Sequence, residues 1–265
     1  MSALLFEKTG PLVQLTINRP ETRNPLGEEG DGEVFAEACA RINGDREVRC
    51  VILTGAGSAF SAGGNVKAMR ERSGAFAGAG VHIRERYRNG IHRIVRSLWG
   101  LEVPMIAAVN GPAIGLGNDV ACLADMRIAA DNAIFGATFL RVGLVPGDGG
   151  SWILPRTIGH ARAAELFFTG DTIDAQTALS WGLVSRVVPA AQLMEDARAL
   201  ATRICRQPPD ALRMTKRMMR EGQNVSFDTI MEMSAAMQSL AHLTEDHEEA
   251  LAAFFEKRPG DFKGK

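Results

Sequence analysis

Cysteine is scarce in this chain, and what there is lies scattered. Cys39, Cys50, Cys122 and Cys205 are far apart, with no CxxC spacing. That pattern argues against a zinc site or a disulfide framework and reads as reduced, mostly buried thiols in a cytoplasmic protein. No apolar run approaches the roughly 18 residues of a membrane-spanning helix. The opening MSALLFEKTG lacks the basic start and long apolar stretch of a signal peptide. Neither sign of charge is in excess: 30 Lys and Arg stand against 31 Asp and Glu. No general attraction to nucleic acid follows, and none is expected. His247, in EDHEE, lacks the partner of an HExxH zinc site, and no metal is expected. No internal sequence repeat is detectable.

What is present is an ordinary globular balance, 46% hydrophobic and 23% charged over 265 residues. Residues 12–17 alternate as a strand, paired with residues 4–6 across Thr9-Gly10-Pro11. Residues 33–43 carry helical spacing, and residues 50–54 form a buried strand. The region 66–99 is helical in its second half and interrupted by the small-residue stretch SGAFAGAG at 73–80. The order then repeats: a strand at 104–109, the turn NGPAIGLG and a short helix at 118–124. Short strands follow at 126–130 and 133–135, then the glycine loop VGLVPGDGG and helical stretches at 152–157 and 162–168. A helix is expected at 172–181, a strand at 183–188, a helix at 191–206, and only helices beyond Pro208-Pro209. The spacing predicts an α/β core over residues 1–206 and a helical region over 207–265.

Two strand–glycine turn–helix units, 50–67 and 106–124, carry the chemistry. In FSAGGNVK, residues 60–67, small side chains leave the backbone bare. The first N–H groups of a helix have no intrahelical partner, so such a turn can present donors to a ligand oxygen. One turn of this kind more often only joins a strand to a helix. Two, each after an apolar strand, suggest donors converging on one oxygen. Each such donor lowers a barrier by on the order of 3 kcal/mol when charge develops on that oxygen.

Six ordered blocks extend the pattern. They are LTINRPETRNPL, VILTGAGSAFSAGGNVKAM, PMIAAVNGPAIGLGNDVACLADMRIA, GLVPGDGGSWILPRTIG, TGDTIDAQTALSWGLVSRVVP and EDHEEALAAFFEKRPGDFKGK. Together, and nearly end to end, they resemble the enoyl-CoA hydratase/isomerase (crotonase) family. The resemblance implies an α/β fold, a crotonase-like spiral of repeated ββα units with a helical C-terminal trimerisation region. It implies an acyl-CoA substrate, no cofactor beyond that coenzyme A, and a homo-oligomer, a trimer or a dimer of trimers.

The resemblance also places the site. The thioester oxygen would be held by the backbone N–H groups of Gly64 and Leu116. Asp119, in GLGND, stands where the two-acid hydratases carry their first glutamate and is the leading base. The second glutamate of those hydratases aligns with Phe139, which cannot transfer a proton. Asp148, in VPGDGGSW, is the possible partner, one position from the aspartate of double-bond isomerases. Arg23, Ala62, Asn65, Val66 and Lys67 are the candidate coenzyme A contacts, with Asn65 in place of the more usual aspartate. Phe254 and Lys257 match a Phe-x-x-Lys pair that meets the nucleotide, often across a subunit boundary. Glu165 reads as solvated.

Plainer readings stand beside these. Asp119 can be a helix-start charge, Asp148 a turn former, and Phe254 part of an apolar helix face. The arginine stretch Arg84, Arg86, Arg88, Arg93 and Arg96 reads as a solvated face that can also reach coenzyme A phosphates. Gly55-x-Gly57 suggests a dinucleotide fold, but Phe60 occupies the place of the third glycine. Ala59-x-Ser61-x-Gly63 suggests a hydrolase elbow, but it begins well past the end of the strand. Hydration of a 2-enoyl-CoA is the first expectation and double-bond isomerisation the second. A non-catalytic CoA-binding protein or a thioesterase on the same fold is the remaining alternative.

Overall fold

The computed structural model describes residues 2–265. Its main sheet has the order β1-β2-β3-β4-β6-β9. The strands are β1 (Leu4–Thr9), β2 (Leu12–Ile17), β3 (Cys50–Gly55), β4 (Met105–Val109), β6 (Met126–Ala130) and β9 (Arg186–Val188). The β1–β2 hairpin is antiparallel and every other pairing in this sheet is parallel. A second sheet joins β5 (Ala113–Ile114), β7 (Ile134–Gly136) and β8 (Thr172–Asp174).

Strands β3 and β4 are buried at every position. Parallel strands covered on both faces lose the polar alternation of a half-exposed sheet, which is why these segments read as unbroken apolar runs. Val51, Leu53 and Ala107 face the larger core, with α1 (Asp31–Gly44) contributing Phe35 and Ile42. Cys50, Ile52, Ile106 and Ala108 face the opposite way, against Leu193, Ala197 and Ala201 of a helix spanning Leu193–Cys205.

Three local expectations change. The segment 172–181 divides into β8 and a helix at Ala175–Ser180. Asp174 accepts the Thr177 N–H at 2.7 Å and starts that helix, while Thr172 and Ile173 pair with β7. The strand expected at 183–188 is confined to β9. The second glycine turn contains a strand of its own, β5, too short for its pattern to be read.

The boundary expected near residue 206 is bridged by a helix at Pro209–Glu221. Its Arg213 donates to the Asp45 carbonyl at 3.1 Å, and its Lys216 to the Val103 carbonyl at 2.7 Å. Beyond it, the helix at Phe227–His242 has no buried residue. The next helix, Glu245–Glu256, exposes Phe254 and Phe255. The chain end is tied back: Asp246 accepts the Lys263 and Gly264 N–H groups at 2.6 and 2.8 Å.

The two glycine turns meet by direct backbone contact. A β-carbon on Gly117 would lie 2.3 Å from the Ser61 carbonyl oxygen, whereas one on Gly44 would meet nothing within 4 Å. Gly117→Ala should destabilise the protein by about 3 kcal/mol, because the obstructing atom belongs to the main chain. Gly44→Ala should be neutral or stabilising by up to about 0.5 kcal/mol, through reduced freedom of the unfolded chain. Urea midpoints at constant m value measure both changes.

Candidate active site

The first turn is shaped by two asparagines. Asn24, fully buried, donates to the carbonyls of Ala56 and Ala59 at 2.8 and 2.7 Å and accepts the Arg19 N–H at 2.8 Å. Asn110 donates to the Gly57 carbonyl at 3.0 Å and accepts the Gly55 N–H at 3.2 Å. Together they satisfy peptide groups of the loop and of the end of β3 that the sheet leaves unpaired. The loop they hold delivers Ser61 to a bridge with Ala113, and Gly63 to a bridge with Pro25.

Gly63 has φ +84°, and a β-carbon there would lie 2.5 Å from the Ile114 carbonyl oxygen and 3.4 Å from the Leu116 nitrogen. The first turn is therefore pressed against the start of the second. Helix Leu116–Cys122 begins at this contact. Among the described residues, neither the Gly64 nor the Leu116 N–H has an acceptor within the protein. Both residues line one small cavity of about 70 Å³. Backbone donors without partners beside a cavity are available to a ligand oxygen.

Asp148 lines the same cavity, from the loop before helix Gly150–Ile158. The loop turns at Gly149, with φ +92°. It is held from outside by His92, whose Nε2 donates to the Gly147 carbonyl at 2.8 Å. Burial pushes the Asp148 carboxyl up to about 6. Tyr87, from the helix at Gly80–Asn89, also lines the cavity. Burial, and then the Asp148 charge, push its hydroxyl up to about 12.

Asp119 sits differently. Its carboxylate lies behind Gly150, where a β-carbon would come 2.3 Å from an oxygen. It is buried and does not line the cavity, and neither oxygen has a hydrogen-bond partner of good geometry. Burial raises its pKa well above the ordinary aspartate range, and the Asp148 charge adds to the rise. The nearby Asn118 side chain and Gly150 amide oppose it only in part. The leading base expected from the sequence is thus a second layer behind the cavity wall, and Asp148 is the carboxylate that meets the cavity.

The family model for enoyl-CoA hydratase/isomerase matches residues 7–265. The chain belongs to the enoyl-CoA hydratase/isomerase family. It is 36% identical to a short-chain-enoyl-CoA hydratase of Clostridium acetobutylicum, over 97% of this chain and 96% of that protein. It is 35% identical to a 1,2-epoxyphenylacetyl-CoA isomerase of Escherichia coli over the full length of both. The crystal structure of an enoyl-CoA hydratase from Bacillus anthracis superposes with a TM-score of 0.93 at 34% identity, covering both chains entirely. The crotonase-like fold, with its helical C-terminal region, is that of this family.

The remaining candidate positions divide in this family member. Ala62 and Val66 line the cavity. Arg23 accepts the Ala62 N–H on its carbonyl at 2.8 Å, which sets its backbone against the first turn, and its side chain is exposed. Asn65 caps the helix at Val66–Glu71: its side-chain oxygen accepts the Ala68 N–H at 3.0 Å, and its amide donates to Glu28 at 3.1 Å. Lys67 is exposed on that helix. Phe139 lines the cavity where the second glutamate was expected, packed near Gly115. Phe254 and Lys257 are exposed and do not line this cavity within one chain. Glu165 is exposed. Ser61 is fully buried and its Oγ accepts the Gly63 N–H at 3.2 Å, a turn-forming role. Tyr87 lies in the region read from the sequence only as helical; its place beside Gly147 of the glycine loop brings together segments far apart in sequence.

The raised carboxyls have a consequence for stability. Asp148 binds its proton more tightly folded than unfolded, so its contribution is fully present below the unfolded pKa of about 4. That contribution is lost as pH rises through about 6. Asp148→Asn should therefore be more stable than the parent above pH 6, by on the order of 2 kcal/mol, with the difference vanishing below about pH 4. Asp119→Asn should change stability in the same direction. Denaturation midpoints across pH measure both.

Proposed function

We propose that the protein adds water to the double bond of a 2-enoyl-CoA thioester. The observation that carries this reading is the pairing of two unpartnered amides, Gly64 and Leu116, with one carboxylate, Asp148, around a single cavity. The amides hold the thioester oxygen. As the β-carbon accepts the water oxygen, Asp148 takes the water proton and the electron pair of the double bond moves onto the held oxygen. The enolate then takes that proton back at the α-carbon, and the carboxylate is restored. Asp119 lies behind Gly150, where burial and the Asp148 charge raise its pKa well above the ordinary aspartate range, which disfavours a second negative charge beside Asp148.

Coenzyme A would leave along the first turn, past Arg23, Ala62, Asn65, Val66 and Lys67, and no further cofactor is needed. The reading includes a homo-oligomer, a trimer or dimer of trimers, because the helix at Phe227–His242 buries nothing and Leu243, Phe254 and Phe255 are more than three-quarters exposed. In such an assembly Phe254 and Lys257 would reach a neighbour's nucleotide. A reducing, cytoplasmic setting fits the cysteine spacing. No helix among the described residues is long and apolar enough to cross a membrane. Double-bond isomerisation is the second reading, favoured by Phe139: one cavity-facing carboxylate suffices to move a proton between carbons.

Mass and absorbance measurements on 2-enoyl-, 3-enoyl- and dienoyl-CoA substrates distinguish the two. Hydration gives a product heavier by one water with loss of the conjugated absorbance; a mass-neutral product assigns isomerisation instead. Asp148→Asn should lower kcat at least about 100-fold. The base must be ionised, so kcat/KM should rise with pH through about 6. A flat profile between pH 5 and 7 would remove Asp148 from the role.

A further inference from the structure

Five arginines occupy positions 84–96, and the fold uses only some of them. Arg86 donates to the Ala77 carbonyl, and Arg93 pairs with Glu33. Arg84, Arg88 and Arg96 instead line an open cleft of about 510 Å³, together with His92 and Tyr87. Helical spacing puts Arg84, Tyr87 and Arg88 on one face of the first helix, and His92 and Arg96 one turn apart on the next. A single carboxylate, Glu85, answers them: it lies 3.4 Å from Arg84 and 3.9 Å from Arg88. Arg96 has no acidic partner among the described residues.

This cleft adjoins the active cavity. Tyr87 and Leu144 line both, and Gly147, beside Asp148, lines the cleft. The candidate coenzyme A contacts lie instead on the first turn, at the Pro25–Gly63 bridge. An acyl chain with its thioester against Gly64 and Leu116 would pass Asp148 and Tyr87 before reaching the arginines. We propose that this cleft receives a carboxylate at the far end of the acyl group, so that the substrates are ω-carboxyacyl-CoA thioesters. The proposal rests on the reading that the adjoining cavity holds an acyl-CoA thioester. Planar guanidinium groups match a carboxylate in shape and charge; three around one cleft outnumber the single carboxylate Glu85, and Arg96 has no acidic partner to give up among the described residues.

Equilibrium titration of the full-length protein tests this without requiring turnover. The probes are the CoA monothioesters of adipic and suberic acid, the ω-methyl esters of each, and free CoA. At least one acid should bind about tenfold more tightly than its ester. That preference should shrink as salt is raised. Replacing Arg84, Arg88 and Arg96 together by Gln should abolish the preference. Equal affinity for acid and ester overturns the proposal. So does a variant that weakens acid, ester and free CoA alike, because the arginines would then hold the coenzyme's phosphates. If the triple variant fails to fold, Arg96→Gln alone and the salt dependence of the parent decide. Preference for the acid without hydration of any enoyl thioester would leave the cleft assignment standing and remove the proposed reaction.

Discussion

Two main-chain turns touch with no room for a β-carbon between them, and the site depends on that contact. Gly63 lies against the Ile114 carbonyl and Gly117 against the Ser61 carbonyl. Any side chain at either place would force the turns apart, and with them the two amides that border the cavity. The contact is fastened by hydrogen bonds on both sides, Ser61 N–H to Pro112 at 3.1 Å and Ile114 N–H to Ser61 at 3.0 Å. Donors fixed in this way need little reorganisation when a charged oxygen arrives, which is how preorganised amides stabilise an enolate better than water does.

Around this rigid centre the molecule places two carboxyls in unlike surroundings. Asp148 is at the edge of the cavity and titrates near neutrality, at about 6. Asp119 is enclosed, without good hydrogen-bond partners, and burial followed by the Asp148 charge raises its pKa well above the ordinary aspartate range. Two groups of one chemical kind are set apart by their surroundings: burial raises both, and the charge of one raises the other further. The arrangement is unfavourable for stability once the carboxylates ionise, and such unfavourable burial is typical of sites that do chemistry.

The helical segment that carries Tyr87 and the arginines borders the cavity on another side. It packs through Ile91, Ile94 and Leu98 onto the core, so its inner face is set by hydrophobic burial. Its outer face is free to carry charge beside the cavity without disturbing the turns.

Much of this was legible in the residue order. Apolar runs named the buried parallel strands, because a strand covered on both faces has no polar alternation to display. Glycines 63, 64, 115 and 117 marked the bare turns, because close backbone approach excludes side chains. Six blocks of sequence pointed to the family. The sequence could not rank the two aspartates: both sit among glycines, and only the packing of Gly150 against Asp119 puts one behind the wall and leaves the other in front of it. Nor could it separate the arginines that serve the fold from those that face the cleft, since partners such as Glu33 and Ala77 come from other turns of the chain. Local pattern determines which backbone is bare and which strand is buried; which side chains share a cavity is decided by contacts between segments distant in sequence.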